Sequence, residues 1–302
     1  AEAARARVVT PAARRHFTVP LAGRAPLALG SRTLVMGVIN VTPDSFSDGG
    51  AALDPSDALR IAEDMQAAGA DIIDVGAEST RPGAVPVDAA DEMARLRPVL
   101  RALARSITVP ISIDTYKAAV AAMALDEGAA LLNDISAFAY DPDLGPLAAA
   151  RGCPVMLMHT RGRPAEMYAQ ADYQDVAREV SSDLARSVER AIAFGVARDR
   201  IFVDPGLGFA KRAEHSLIAL AQIDRLAALG FPIVVGPSRK SFLAATAGAR
   251  DPQDRDWPTA AAVTAAVLGG AHVVRVHRVD RMVPVVRMAD AIRGAAAADA
   301  PA

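Results

Sequence analysis

Arg81, Lys240 and Arg275 stand at or just beyond the ends of short apolar runs, and so do Asn40, Asp114, Asn133, Asp204 and His277. A guanidinium binds phosphate oxygens in pairs and a lysine adds a point charge. Three firm cations, with His277 as an optional fourth, therefore suit a phosphate or pyrophosphate. Carboxylates accept hydrogen bonds in pairs, so Asp114 and Asp204, with the amides of Asn40 and Asn133, suit a flat heterocycle rich in N–H donors. The combination describes a ligand with a polar ring at one end and an anionic leaving group at the other. Other chemistries fit poorly. The chain has no His-x-His pair at the end of its first run and no Gly-x-Ser-x-Gly elbow. A single Cys excludes an intramolecular disulfide and any Cys-based metal site. Cys153, at the entry of a run, reads as a small buried residue, His16 and His215 as surface or capping residues, and His272 as the opening of a strand. Lys240 reads as a cation aimed at a ligand rather than as a Schiff-base lysine.

The runs themselves say what must position these residues. They are Leu34–Ile39, Asp71–Gly76, Pro110–Asp114, Ala130–Asp134, Pro154–His159, Arg200–Asp204, Pro232–Gly236 and His272–His277. Each is short, β-branched and apolar on both faces, as strands of a fully covered parallel sheet are. Between them lie segments with helical spacing, among them Pro55–Ala68, Asp88–Ala104, Ala118–Glu127 and Val176–Phe194. Asp54, Pro55 and Ser56 mark a helix start; Gly69, Gly128, Gly195 and Gly230 mark helix ends. Eight strand–helix units without a break in composition predict an α/β chain forming a single (β/α)8 barrel. A doubly wound sheet would want a Gly-x-Gly-x-x-Gly turn, and none exists. In such a barrel the chemistry sits at the C-terminal strand ends, where Asn40, Gly76 to Arg81, Asp114, Asn133, Met158 with His159, Asp204, Ser238 to Ser241, and Arg275 with His277 converge.

The composition agrees. The chain has 302 residues, 33 Lys and Arg against 35 Asp and Glu, and a net charge of −2. That balance argues against a nucleic-acid binder carried by bulk charge. Aromatics are 4%, too few for base-stacking platforms. No run reaches the roughly 18 apolar residues of a membrane span. The expectation is a cytoplasmic enzyme of a reducing compartment. Residues 1–30, rich in Ala and Arg and without an apolar stretch of the secretory kind, read as an extension with a hairpin covering the barrel bottom. The barrel is expected over 31–294, and 295–302 read as a disordered Ala-rich tail.

The motifs are specific enough to name a resemblance. Met36–Gly50 (MGVINVTPDSFSDGG) and Ile73–Ala84 (IDVGAESTRPGA) are followed by Ile113–Thr115, Asn133-Asp134, Leu157–His159, Asp204–Lys211 (DPGLGFAK), Gly236–Ser241 (GPSRKS) and Arg275–His277. In order and spacing, from about Thr33 to Arg293, this resembles the bacterial dihydropteroate synthase family of folate biosynthesis. The resemblance implies condensation of 6-hydroxymethyl-7,8-dihydropterin pyrophosphate with p-aminobenzoate. By the same resemblance, Asp114, Asn133, Asp204 and Lys240 hold the pterin, with Met158 and Phe209 lining it and Arg275 over its face. Asn40, Arg81, Arg275 and His277 hold the pyrophosphate, with Mg2+ near Asn40. Phe46, Thr80, Pro82, Phe209, Lys240 and Ser241 form the p-aminobenzoate pocket. Asn40, Arg81, Lys240, Arg275 and His277 are the residues expected to carry catalysis. Loops Thr42–Ser47 and Ser79–Gly83 would close over the site, their Gly and Pro content fitting movable lids. A homodimer, no nucleic acid or membrane partner, and a sulfonamide-binding pocket are further implications.

An arylamine is neutral near pH 7, so its nitrogen needs no strong base; the difficult event is the departure of pyrophosphate. Cations and Mg2+ would stabilise that leaving group in a dissociative, SN1-like substitution. Asp44 and Asp204 are candidates to take a proton afterwards. Some positions depart from the family pattern. Ala77 replaces a glycine, which matters only if its φ is positive. Tyr116 replaces a smaller residue and is expected to cap the third helix. Arg278 replaces an Asp and is expected to face solvent, and His215-Ser216 reads as peripheral. Two rivals remain at this point. One is a methyltetrahydrofolate–corrinoid methyltransferase, which has no use for Ser-Thr-Arg-Pro-Gly or Ser-Arg-Lys-Ser. The other is a non-catalytic pterin-binding homologue, expected to have lost Arg81 or Lys240.

Overall fold

The computed structural model describes residues 11–42, 54–80, 83–249 and 251–298. Two short strands come first, β1 (Phe17–Leu21) and β2 (Arg24–Leu29), paired antiparallel as a hairpin. Eight parallel strands follow: β3 (Leu34–Asn40), β4 (Ile72–Gly76), β5 (Ile111–Asp114), β6 (Leu131–Asp134), β7 (Val155–Met158), β8 (Ile201–Asp204), β9 (Val234–Val235) and β10 (Val273–Val276). Their hydrogen-bonded order is β8-β7-β6-β5-β4-β3-β10-β9. A parallel bridge between Val203 and Ile233 joins the two ends of that order and closes the barrel. The single barrel expected from the recurrence of apolar runs is therefore what forms. β9 is the one strand much shorter than its apolar run. Pro232 and Pro237 flank it and cannot donate to a ladder, although the Pro232 carbonyl still accepts from Val203 N at 3.0 Å.

The helices lie between strands. They are α1 (Pro55–Ala67), α2 (Ala89–Ser106), α3 (Ala118–Asp126), α4 (Leu144–Arg151), α5 (Val176–Ala193), α6 (Ala213–Ala221), α7 (Ser241–Ala247), α8 (Asp256–Leu268) and α9 (Val279–Ala298). Local chemistry sets several starts. Asp54 accepts from Ser56 N ahead of Pro55, Asp88 accepts from Ala90 N, and Asp175 accepts from Arg178 N, each satisfying an amide that the helix leaves unpaired. Tyr116 does not cap α3, contrary to the expectation from sequence. The residue before the helix is Lys117, which makes no side-chain cap, and the Tyr116 hydroxyl donates to Glu78 Oε1 at 2.6 Å instead.

Strand residues alternate between two cores, as the period of two requires. Val35, Ile39, Ile73, Val75, Ile111, Ile113, Leu157, Val203 and Val274 face outward and pack with the helices. Leu34, Met36, Ile72, Leu131, Met156, Phe202, Val234 and Val273 point inward and meet Val19, Leu21 and Leu29 of the hairpin, which closes the N-terminal mouth. Two residues further along the same inward rows, the side chains turn polar: Asp74 after Ile72, Asn133 after Leu131, Asp204 after Phe202, and Arg275 after Val273. The barrel interior is apolar at its sealed end and charged at its open end.

Candidate active site

Arg275 is the centre of the charged layer. Its Nε donates to Asp74 Oδ2 and its Nη2 to Asp114 Oδ2, both at 2.6 Å. The same Asp74 oxygen accepts from Asn133 Nδ2 at 3.0 Å. That bond settles the orientation of the Asn133 amide: with its nitrogen turned to Asp74, its oxygen is left to face a ligand. Burial works against the Arg275 charge, but Asp74 and Asp114 more than offset it, so the guanidinium stays charged and fixed in plane. Asp74 is a residue that sequence reasoning missed. Its signal was an acid inside an otherwise apolar run, a position that costs several kcal/mol by order of magnitude unless the charge is paired.

Asp114 and Asp204 stand across the same mouth. Burial pushes the Asp114 carboxyl up to about 7, with Arg275 pulling the other way. Burial also raises Asp204, against the pull of Lys240 and a bond from Gly206 N to Oδ1 at 2.7 Å. Asp134, next to Asn133, has a different task. It accepts from Ser136 N at 2.8 Å, Ser136 Oγ at 2.7 Å and Phe138 N at 2.6 Å, and so ties down the loop after β6.

Lys240 comes from the turn after β9. Arg239, at φ +59°, reverses the chain there, with its N donating to Thr259 Oγ1 and its carbonyl accepting from Arg255 Nη1 at 2.8 Å. The reversal carries the Lys240 ammonium over the Phe209 ring, 4.6 Å from its centroid. Burial lowers Lys240 to about 8, with Asp204 the main opposing influence. The Gly236 backbone runs beside both cations: a Cβ there would make ordinary contact with Lys240 Nζ at 3.8 Å and with the Arg275 Cβ at 3.7 Å. Phe209 and Met158 join Ile135, Tyr116 and Tyr140 in an apolar wall beside the charged layer.

Seven of the residues expected from sequence thus meet at one mouth: Asp114, Asn133, Met158, Asp204, Phe209, Lys240 and Arg275. The others lie around it. Asn40 ends β3 opposite Gly76, which in turn pairs with Asp114. His277 Nδ1 lies 3.0 Å from Ser238 Oγ at the end of β10. Ser241 opens α7, its Oγ 3.4 Å from the Tyr168 hydroxyl. Thr80 is half-buried on the loop after β4. Asp44, Phe46, Arg81 and Pro82 lie outside the described residues. Ala77 is fully buried and is not among the positive-φ residues, so its methyl is accommodated. Arg278 pairs with Asp280 at 2.6 Å on the surface. Cys153 is buried, with its thiol pushed up to about 12 by that burial.

An eight-stranded barrel whose open end gathers carboxylates, an amide and cations in one mouth has the chemistry to bind a donor-rich heterocycle. The chain belongs to the family of pterin binding enzymes, which it matches over residues 36–277. It is similar to the dihydropteroate synthase of Synechocystis sp., 44% identical over 278 residues that cover 92% of this chain and 96% of that relative. Among solved structures it is similar to the Yersinia pestis dihydropteroate synthase in a sulfonamide drug complex. There the TM-score is 0.86 at 38% identity, covering 92% of this chain and 100% of that one. It is also similar to the Xanthomonas albilineans enzyme with 4-aminobenzoic acid, with TM-score 0.85 at 34% identity over 95% of this chain and 100% of that one. The same enzyme in complex with 7,8-dihydropteroate gives TM-score 0.82 at 32% identity, covering 94% of this chain and 100% of that one. Among the described residues no helix is long and apolar enough to cross a membrane.

Proposed function

We infer that this protein condenses 6-hydroxymethyl-7,8-dihydropterin pyrophosphate with p-aminobenzoate, giving 7,8-dihydropteroate and pyrophosphate. The observation that carries this reading is the set of acceptors held around Arg275. Asp114, Asp204 and the Asn133 oxygen offer their lone pairs to one cavity, and a pterin edge supplies the matching N–H donors. The Arg275 plane, fixed by Asp74 and Asp114, gives the ring a flat cation to lie on. Lys240, over the Phe209 ring and under the influence of the Asp204 charge, is proposed to stand between the ring pocket and the aryl pocket.

In the reaction the bond from the pterin methylene carbon to the pyrophosphate oxygen breaks and the electron pair leaves with the pyrophosphate. The arylamine nitrogen forms the new bond to that carbon and loses a proton, which the Asp204 carboxylate is proposed to take. The amine is already neutral, so the protein's main task is to accept the leaving charge and hold the partners in line. Arg81, Arg275 and His277 are proposed to receive the pyrophosphate with Asn40, and Thr80, Ser241, Phe46 and Pro82 to face the aryl ring with Phe209.

The described residues contain no cluster of three or more His, Cys, Asp or Glu able to cage a metal. A single amide oxygen at Asn40 nonetheless fits Mg2+, which keeps most of its waters and binds mainly through substrate phosphates. When bound, Mg2+ would neutralise charge on the departing pyrophosphate. We also propose a cytoplasmic homodimer. Its support is a set of exposed apolar side chains on α6, α8 and α9, including Ile218, Trp257 and Ile292.

Calorimetric titration with the pterin pyrophosphate tests the ring site and the metal together. The expected result is binding that tightens when Mg2+ is added. No binding, or binding indifferent to Mg2+, would contradict the corresponding part of the reading.

A further inference from the structure

Lys211 ends the loop that follows β8 and is 1% exposed. A buried amine is costly unless its hydrogens and lone pair find partners. Its Nζ lies 2.7 Å from His159 Nδ1, 3.1 Å from Phe209 O and 3.5 Å from His159 O. His159, itself buried, closes β7 and passes the contact on, its Nε2 lying 3.0 Å from Asp183 Oδ2 on α5. Burial first, then the neighbouring Lys211, lowers the imidazole to about 4, so it is neutral near pH 7. With its one N–H given to Asp183 from Nε2, the neutral imidazole accepts from Lys211 at Nδ1, and the amine keeps N–H groups for the two carbonyls. It therefore bridges the loop after β8 to the end of β7.

That loop needs a tether. Gly206, Gly208 and Ala210 all have positive φ; the two glycines adopt it freely, but Ala210 carries the cost of a side chain there. Gly206 lies so close to β7 that a Cβ would come within 2.0 Å of His159 O. Two further bonds hold the winding: Tyr173 Oη donates to Ala210 O at 2.9 Å, and Gly208 N donates to Ser216 Oγ at 3.1 Å. The segment so fixed carries the Phe209 ring beneath Lys240, and a Cβ at Gly208 would lie 3.3 Å from the Lys240 Cδ. A small shift of this loop therefore moves both walls of the pocket at once.

We propose that Lys211 is a positioning residue for the aryl acceptor. Through the Phe209 carbonyl it fixes the Phe209 ring, and through that ring it fixes the place of the Lys240 ammonium. The assignment rests on the condensation reading above.

The test is the Lys211→Met variant, which keeps the length of the side chain and removes its hydrogen bonds, assayed with both substrates varied. The expected result is a rise of about tenfold or more in KM for p-aminobenzoate with a smaller fall in kcat, the signature of a displaced binding wall. Tyr173→Phe, which loosens the same loop at its other tether, should raise the same KM by less. A folded Lys211→Met protein with unchanged KM values, or with kcat alone reduced, would overturn the assignment, because a lost structural prop lowers the active fraction without touching KM. If Lys211→Met does not fold, an unchanged KM in Tyr173→Phe overturns it. Absence of dihydropteroate from the unmodified protein would instead fail the condensation reading, so the two failures are distinguishable.

Discussion

One oxygen of Asp74 aims two side chains, and the consequences of that arrangement are electrostatic. Asp74, Asp114 and Asp204 crowd one mouth with Arg275 and Lys240, so each charge there depends on the others. Replacing Asp204 by Asn removes a carboxylate acceptor and should weaken pterin binding by about 1–3 kcal/mol, read by calorimetry. Unchanged affinity would place the ring elsewhere. The two titrations also set a pH window. Asp114 must be ionised to accept from the ligand, and its carboxyl is pushed up to about 7. Lys240 must be charged, and it is lowered to about 8. We therefore expect kcat/KM to fall below pH about 7 and above pH about 8, a narrow bell. The stability of the free protein runs the other way. The raised Asp114 pKa favours the fold at pH values below the unfolded carboxyl pKa, and that contribution is lost as pH rises through 7. The depressed Lys240 pKa favours the fold above the unfolded amine pKa, and that contribution is lost as pH falls through 8. Because the ligand needs Asp114 ionised and Lys240 charged, stabilisation by a bound pterin, followed as a thermal shift, should be largest between pH about 7 and about 8.

At the scale of elements, the hairpin β1–β2 and the polar layer are two ends of one construction. The inward rows are apolar where Val19, Leu21 and Leu29 cover them and charged two residues later. Leu29→Ala should cost about 2–5 kcal/mol by opening a cavity at the sealed end. Chemical denaturation would show the loss, and KM for either substrate should not move. A changed KM would mean that the bottom of the barrel communicates with the site. The strands were legible because β-branched runs closed by polar residues recur, and the start of α1 because Asp54 and Pro55 precede helical spacing; the caps at Asp88 and Asp175 emerge only in the structure. The role of Asp74 was not legible. In a run that is apolar on both faces, periodicity cannot say which side is inward. Lys211 was hidden for a related reason: a lysine beside a Gly-rich loop reads as solvated until the fold brings His159 onto it.

For the whole molecule, barrel closure is what brings distant residues together. Asp74 and Arg275 are 201 residues apart in sequence and share a 2.6 Å bond only because β10 and β4 flank β3 in the closed sheet. The proposed dimer belongs to this scale as well. Sedimentation should show a dimer that Trp257→Glu, a change at an 85% exposed side chain on α8, converts to monomer. A monomeric unmodified protein would contradict that proposal alone. The central claim is tested most directly by mixing the purified protein with 6-hydroxymethyl-7,8-dihydropterin pyrophosphate, p-aminobenzoate and Mg2+, and measuring dihydropteroate and released pyrophosphate together. The two products should appear in equal amounts, and neither when p-aminobenzoate is replaced by benzoate. Pterin binding with no turnover would contradict the account.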